Sequence, residues 1–355
     1  MRPALLAAAF AAVVALPAPA DEKPAGGTNA LFNGKDLSGF VNVNCAPGTF
    51  FVKDGELVTT GNPTGFLRTD RHYENFELDF DWMHVEKTRM ANSGLFVWGD
   101  PLPAVGTPYT RGIEVQVLIN YAPADGWATS HGDLFSIWGA KCTPDRPHFR
   151  GIERCLPSEN RVKGGGEWNH YKVIANDGAI KLHVNGKEVS GVSKSNPRKG
   201  YLAFESEGAE CHFKNVRIKE LPSTGATGVE VAKVWDGHVS LFTGLDLSGW
   251  KTEGGAWKVA GGALRAAGKA PIATEKAFGR CELLFDWKVP AKAEKAEVVV
   301  KAAGLRTTTT LATGEKAGGW HRQTLRFDGD RPAAPIEFEP AEGLELMNVF
   351  VRELK

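Results

Sequence analysis

Two polar residues one position apart, Glu114 and Gln116, stand in the stretch Arg111-Gly-Ile-Glu-Val-Gln-Val117, and Ser130-His131-Gly132-Asp133 follows a short distance on. On a β-strand successive side chains point to opposite faces, so Ile113, Val115 and Val117 share one face while Glu114 and Gln116 share the other. A carboxylate and an amide above an apolar floor, with a histidine and an aspartate a loop away, suit two kinds of chemistry. One is general acid–base catalysis, with Glu114 or His131 as the base. The other is a divalent cation held by Glu114, His131 and Asp133. The bland alternative is a solvated strand face and a histidine that caps a loop. No cofactor is required by these residues, and a divalent metal is the one that fits them.

The elements that position these groups read as strands. Phe76-Glu-Leu-Asp-Phe-Asp-Trp82 alternates, with Phe76, Leu78, Phe80 and Trp82 inward and Glu77, Asp79 and Asp81 on a solvated face. Ile180-Lys-Leu-His-Val184, then Asn185-Gly186, then Lys187-Glu-Val189 is a hairpin signal, because a type I′ turn needs positive φ at both central residues. Forty-one glycines and twenty prolines punctuate short apolar runs, and helical periodicity is almost missing. The expected fold class is all-β, an antiparallel sandwich.

Lys+Arg and Asp+Glu both number 42, so the chain lacks the electrostatic footprint of a nucleic-acid binder. Leu5 to Leu16 is apolar and Ala18-Pro19-Ala20 offers a cleavage site before Asp21, which makes residues 1–20 a signal peptide rather than a retained anchor. No other segment approaches the length of a membrane span. The expected location is periplasmic or secreted. In an oxidising compartment Cys142 and Cys155, which bracket a proline-rich loop, could form a bridge; five ordinary thiols is the alternative.

What remains is longer than one core usually holds, and an internal repeat divides it. Leu31-Phe-Asn-Gly-Lys-Asp-Leu-Ser-Gly-Phe40 returns as Leu241-Phe-Thr-Gly-Leu-Asp-Leu-Ser-Gly-Trp250. Phe80-Asp81-Trp82 returns as Phe285-Asp286-Trp287, and Asn215-Val-Arg-Ile-Lys-Glu-Leu221 as Asn348-Val-Phe-Val-Arg-Glu-Leu354. Between the shared landmarks Trp82 and Trp168 lie residues 83–167, but between Trp287 and Trp320 only 288–319, so the second copy lacks the block that holds Glu114, Gln116, His131 and Asp133. The expected division is a sandwich over 31–221, a linker over 222–240, and a truncated, non-catalytic copy over 241–355 through which a protein partner could dock.

The ordered set Leu31-Phe-Asn-Gly-Lys-Asp-Leu-Ser-Gly39, Asn92-Ser-Gly-Leu-Phe96, Gly112-Ile-Glu-Val-Gln116, Gly166-Glu-Trp-Asn169, Val184-Asn-Gly-Lys187 and Phe213-Lys-Asn-Val-Arg-Ile218 resembles the 3-keto-disaccharide hydrolase domain family over 31–221. The resemblance implies an all-β fold of two concanavalin-like jelly-roll sandwiches in tandem, in an exported protein that cleaves glycosides whose sugar carries a ketone at C3. It implies a site on the concave face of the first sandwich, with a carbohydrate as partner. A C3 ketone acidifies the C2 proton, so a base can remove it and the C1 substituent leaves from the enolate. In that setting Arg111, Gln116 and Lys199 would hold sugar oxygens or the enolate, and Trp98 is a possible platform, although aromatics usually fill sandwich interiors. One departure stands out: many relatives carry Gln-Asp-His-Gly before the closing motif, whereas this chain has Glu205-Ser-Glu207-Gly208. Glu205 and Glu207 therefore join the candidate binding residues. A glycan-binding module without catalysis is the competing reading.

Overall fold

The computed structural model describes residues 27–121, 132–293, 296–312, 314–329 and 331–355. The chain is all-β, with four antiparallel sheets and one short 3-10 turn at Gly228–Glu230. No helix among the described residues is long and apolar enough to cross a membrane. The expected signal peptide, residues 1–20, lies outside the described residues.

In the N-terminal sandwich one sheet runs in the order Arg154–Cys155, Leu134–Ile137, Gly112–Ile119, Ala91–Gly99, Tyr201–Ser206, Gly65–Thr69, Phe40–Val43. The strand Phe76–His84 belongs to the opposing sheet, between Asn169–Asn176 and Cys211–Glu220. Alternation decides the interior as expected. Leu78, Phe80 and Trp82 meet Leu95, Ile113, Val115 and Val117 in one core. The hairpin at Asn185-Gly186 has φ of 48° and 87°, the signs a type I′ turn demands.

The C-terminal sandwich packs Leu283, Phe285 and Trp287 from Cys281–Lys288 against its own second sheet. Its outward face is different. In the N-terminal sandwich Asp79 pairs across strands with Arg217; at the matching positions of the repeat, Leu284 pairs with Phe350. Two charges have become two apolar side chains. This apolar pair lies on Val43, Phe66, Phe96 and Ala203, on the outer face of the site-bearing sheet. The C-terminal sandwich thus covers part of the face on which Glu114 stands.

A buried polar clamp fixes that contact. Asp286 is fully buried, receives Arg322 at 2.7 and 2.9 Å, and accepts from the Gly106 amide at 2.9 Å. Asn348 donates to Asp286 at 2.6 Å and to the Thr107 carbonyl at 2.9 Å. The same Asn–Asp pair occurs in the first sandwich, where Asn215 donates to Asp81 at 2.7 Å and His170 bonds Asp81 at 2.8 Å. There it faces solvent. In the second sandwich it grips the loop 100–111 of the first. The 222–240 segment is also attached, since Arg198 bonds Glu230 at 3.0 and 3.1 Å and the Ala232 amide donates to the Lys199 carbonyl at 2.7 Å.

The expected Cys142–Cys155 bridge does not form. All five cysteines are buried free thiols. The sulfur of Cys142 lies on the Glu153 carbonyl and that of Cys155 on the Leu156 carbonyl, because each is aimed by a different strand pairing.

Candidate functional site

Three adjacent strands converge on one point. Gly94, on Ala91–Gly99, is opposite Gln116 on one side, and Phe204 opposite Leu95 places Glu205 beside it on the other. A Cβ at Gly94 would lie 2.9 Å from Glu205 Oε2 and 3.1 Å from Glu114 Oε1. The two carboxyl oxygens are therefore no farther apart than the sum of those distances. Glycine leaves this space open: a side chain would push between the acids and shift their carboxyl ends. Glu114 is 7% exposed and Glu205 is 1% exposed, so both have been taken out of water. Glu205 Oε2 has no hydrogen-bond partner.

Burial is the main reason both acids hold their protons. Glu114 is pushed up from 4.5 to about 8 by burial and then by the nearby Glu207, with Arg154 pulling the other way. Glu205 is raised well above the usual carboxylate range by burial, with Glu114 and Glu207 as like charges. Glu207 accepts hydrogen bonds from the Tyr109 hydroxyl at 2.6 Å and from the Asn92 amide. Burial and that carboxylate raise Tyr109 far above the usual phenol range. Because Arg154 acts on Glu114 and not on Glu205, Glu114 is the first of the two to ionise.

An ordered polar chain supports the acids. Gln116 Nε2 donates to Asn92 Oδ1 at 2.7 Å, and Gln116 Oε1 accepts from Arg154 Nη2 at 3.4 Å. Arg154 Nε donates to the buried Asp133 at 2.6 Å, and its guanidinium lies 3.8 Å from the centre of the Phe135 ring. Tyr109 stacks on Trp138 with planes 10° apart, and Trp138 is 52% exposed. An open aromatic face thus borders the acids.

The structure brings together Glu114, Gln116, Glu205 and Glu207 of the expected set, and sets Asp133 behind Gln116 through Arg154. His131 lies outside the described residues. Trp98 is a correction: it is fully buried and donates its indole N–H to the Glu74 carbonyl at 2.8 Å, where no sugar reaches it. Strand parity would have put it on the Glu114 face. Its φ of 58°, beside a register shift opposite Tyr201–Ala203, turns it into the core instead. Arg111 is also elsewhere, held by Asp100 at 2.9 and 3.1 Å, and Lys199 pairs with Glu74 at 3.6 Å. As for the cation set, Asp133 directs its Oδ2 to Arg154 rather than toward Glu114. Among the described residues, three potential ligands cluster at Asp236, His238 and Glu282, but Arg352 already places a cation 2.8 Å from Glu282.

Sequence reasoning missed Asn92, Tyr109 and Arg154. Asn92 opens the Asn92-Ser-Gly-Leu-Phe96 motif and was available there; Tyr109 and Arg154 lie in segments with no recognisable pattern.

A tandem pair of jelly-roll sandwiches, the first with buried acids gathered on one sheet, defines the class of this protein. The chain belongs to the family described as the 3-keto-alpha-glucoside-1,2-lyase-like domain, whose model matches residues 27–219. No curated protein sequence matches it. Among solved structures it is similar to a protein of Parabacteroides distasonis ATCC 8503 described as a glycosyl hydrolase, at 24% identity and TM-score 0.42 over 58% of this chain and 99% of that one. It is also similar to the carbohydrate-binding module CBM66 of Bacillus subtilis, at 14% identity and TM-score 0.33 over 51% and 96%. A third is the β-glucanase of Bacillus licheniformis, at 14% identity and TM-score 0.36 over 56% and 100%.

Proposed function

We propose that the protein is an exported enzyme that eliminates the C1 substituent from 3-keto-glycosides. The observation that carries this is the meeting of Glu114 and Glu205 over Gly94, one acid beside a guanidinium and the other without it. Ionised Glu114 removes the C2 proton, which the adjacent ketone has made acidic. A base with a value near 8 is far stronger than an ordinary carboxylate and is matched to that task. Electrons from the C2–H bond pass into the enolate and then form the C1–C2 double bond as the C1–O bond breaks. Glu205, still carrying its proton, donates it to the departing oxygen. The product is an unsaturated 3-keto sugar, and addition of water across its double bond would complete hydrolysis. Gln116, Asn92 and the Tyr109–Glu207 pair lie where sugar hydroxyls can be held, and Trp138 offers the ring face.

The decisive assay is product analysis with a 3-keto-disaccharide. The expected result is release of the leaving sugar with an unsaturated or hydrated 3-keto product, lost in Glu114→Gln and Glu205→Gln. Binding without turnover would instead make the domain a glycan-binding module.

A further inference from the structure

The acids do not close the site on their own. At the junction of the two sandwiches is a cavity of about 250 Å³. Asn44, Asn62, Thr64 and Pro108 line it from the N-terminal side, and Phe242 and Asn348 from the C-terminal side. Two of these walls are chain neighbours of residues at the site. Pro108 precedes Tyr109, which hydrogen-bonds Glu207 at 2.6 Å. Thr64 precedes Gly65, which pairs with Ser206 next to Glu207.

The chemistry of the lining is specific. None of the residues lining the cavity carries a charge, so a charged ligand finds no counter-ion there. The walls combine amides and a hydroxyl with proline rings and Phe242, the mixture that suits hydroxyl groups on an otherwise apolar ring. The volume is below the roughly 300 Å³ at which pockets for larger ligands begin, and therefore fits one ring rather than an oligosaccharide. Asn44 supplies the second observation. Its Nδ2 is used on Asn348 Oδ1, yet its buried Oδ1 has no partner. A buried carbonyl oxygen left unmatched costs stability, and a sugar hydroxyl can satisfy it. Asn44 and Asn348 both stand at positive φ, 54° and 49°, so the backbone holds these two amides in place from both sandwiches.

We propose that this junction cavity is the subsite for the leaving group, and that it takes a neutral monosaccharide ring. The inference rests on the function proposed above for its catalytic meaning, but not for its binding meaning. It also gives the C-terminal sandwich a role, since that sandwich has none of the acids and contributes the far wall. Substrates with a sugar at C1 are then preferred to those with a small alkyl group.

The test uses the full chain and D-glucose as the probe, followed by saturation-transfer NMR. Asn44→Gly removes the amide while tolerating the positive φ; Thr64→Phe fills the cavity from the opposite wall. Glucose is expected to bind the parent and Glu114→Gln alike, and about tenfold more weakly to both cavity variants, the effect of one lost hydrogen bond or a blocked site. In turnover, Asn44→Gly is expected to raise KM about tenfold for a 3-keto-disaccharide and to leave a methyl 3-keto-glucoside unchanged. No glucose binding, or binding that survives both cavity variants, overturns the assignment, as does an equal loss on both substrates. If no 3-keto-glycoside is turned over while glucose binding still depends on Asn44, the catalytic reading falls and the subsite stands.

Discussion

Glu114→Gln separates burial of an acid from every other role of that side chain. In the folded protein Glu114 keeps its proton up to about pH 8, whereas in the unfolded chain it loses it near 4.5. The unfolded state therefore binds fewer protons between those values, and stability falls as pH rises through that window. The contribution is fully retained below the unfolded value. Each pH unit costs about 1.4 kcal/mol, so the penalty is on the order of 3 kcal/mol at pH 7. Glutamine keeps the shape and cannot titrate. A buried amide gives back about 1 kcal/mol if its hydrogen bonds are imperfect. Glu114→Gln is thus expected to be more stable than the parent by about 2 kcal/mol at pH 7, with no advantage at pH 4.5. Urea unfolding from pH 4.5 to 8.5 reads this as the difference between two curves, in which titrations not coupled to Glu114 cancel and Glu205, relieved of a like charge, ionises more easily. Activity moves the opposite way and is lost at every pH. Parallel stability curves would refute the account, because they would mean that Glu114 ionises in the folded protein as easily as in the unfolded one.

Gly94→Ala forces a methyl group against the two acids at 2.9 and 3.1 Å. Carboxyl ends can swing aside, so Tm is expected to fall by only a few degrees while kcat falls at least about tenfold; an equal fall in both would place Gly94 in the framework alone. Tyr109→Phe removes the 2.6 Å hydrogen bond to Glu207. It is expected to cost about 1.5–3 kcal/mol in chemical denaturation, and an unchanged midpoint would mean that the hydroxyl makes no net contribution. Asn348→Ala leaves Asp286 and the Thr107 carbonyl short of a donor inside the junction. The expected loss is about 1–3 kcal/mol, together with faster proteolysis within loop 100–111; protection equal to the parent would show that the apolar contact holds the loop unaided.

The local pattern of this chain is written in its own residues. Period-two alternation at 76–82 and 112–117 specifies which side chains enter the core, because neighbouring strand residues must face opposite ways. Asn185-Gly186 specifies its turn, because both backbones accept positive φ. The order of motifs along 31–221 was enough to point to the family. Alternation also put Glu114 and Gln116 together on one face, but it implied a solvated face. Nor does it show that the second sandwich covers part of that face. Leu284 and Phe350 stand where the first repeat has Asp79 and Arg217, and only the folded chain shows that this apolar pair lies on Phe66 and Phe96.

Other features depended on side chains brought together from distant parts of the chain. Glu205 is 91 positions from Glu114, and nothing in either segment records that Gly94 would leave a gap between them. Trp98 followed parity in the sequence and broke it in the fold, because one residue at positive φ reverses the side on which it emerges. Sequence determined the strands, the turns and the family. Tertiary structure decided which acids lose their water, since desolvation depends on what covers a side chain and not on its neighbours along the chain.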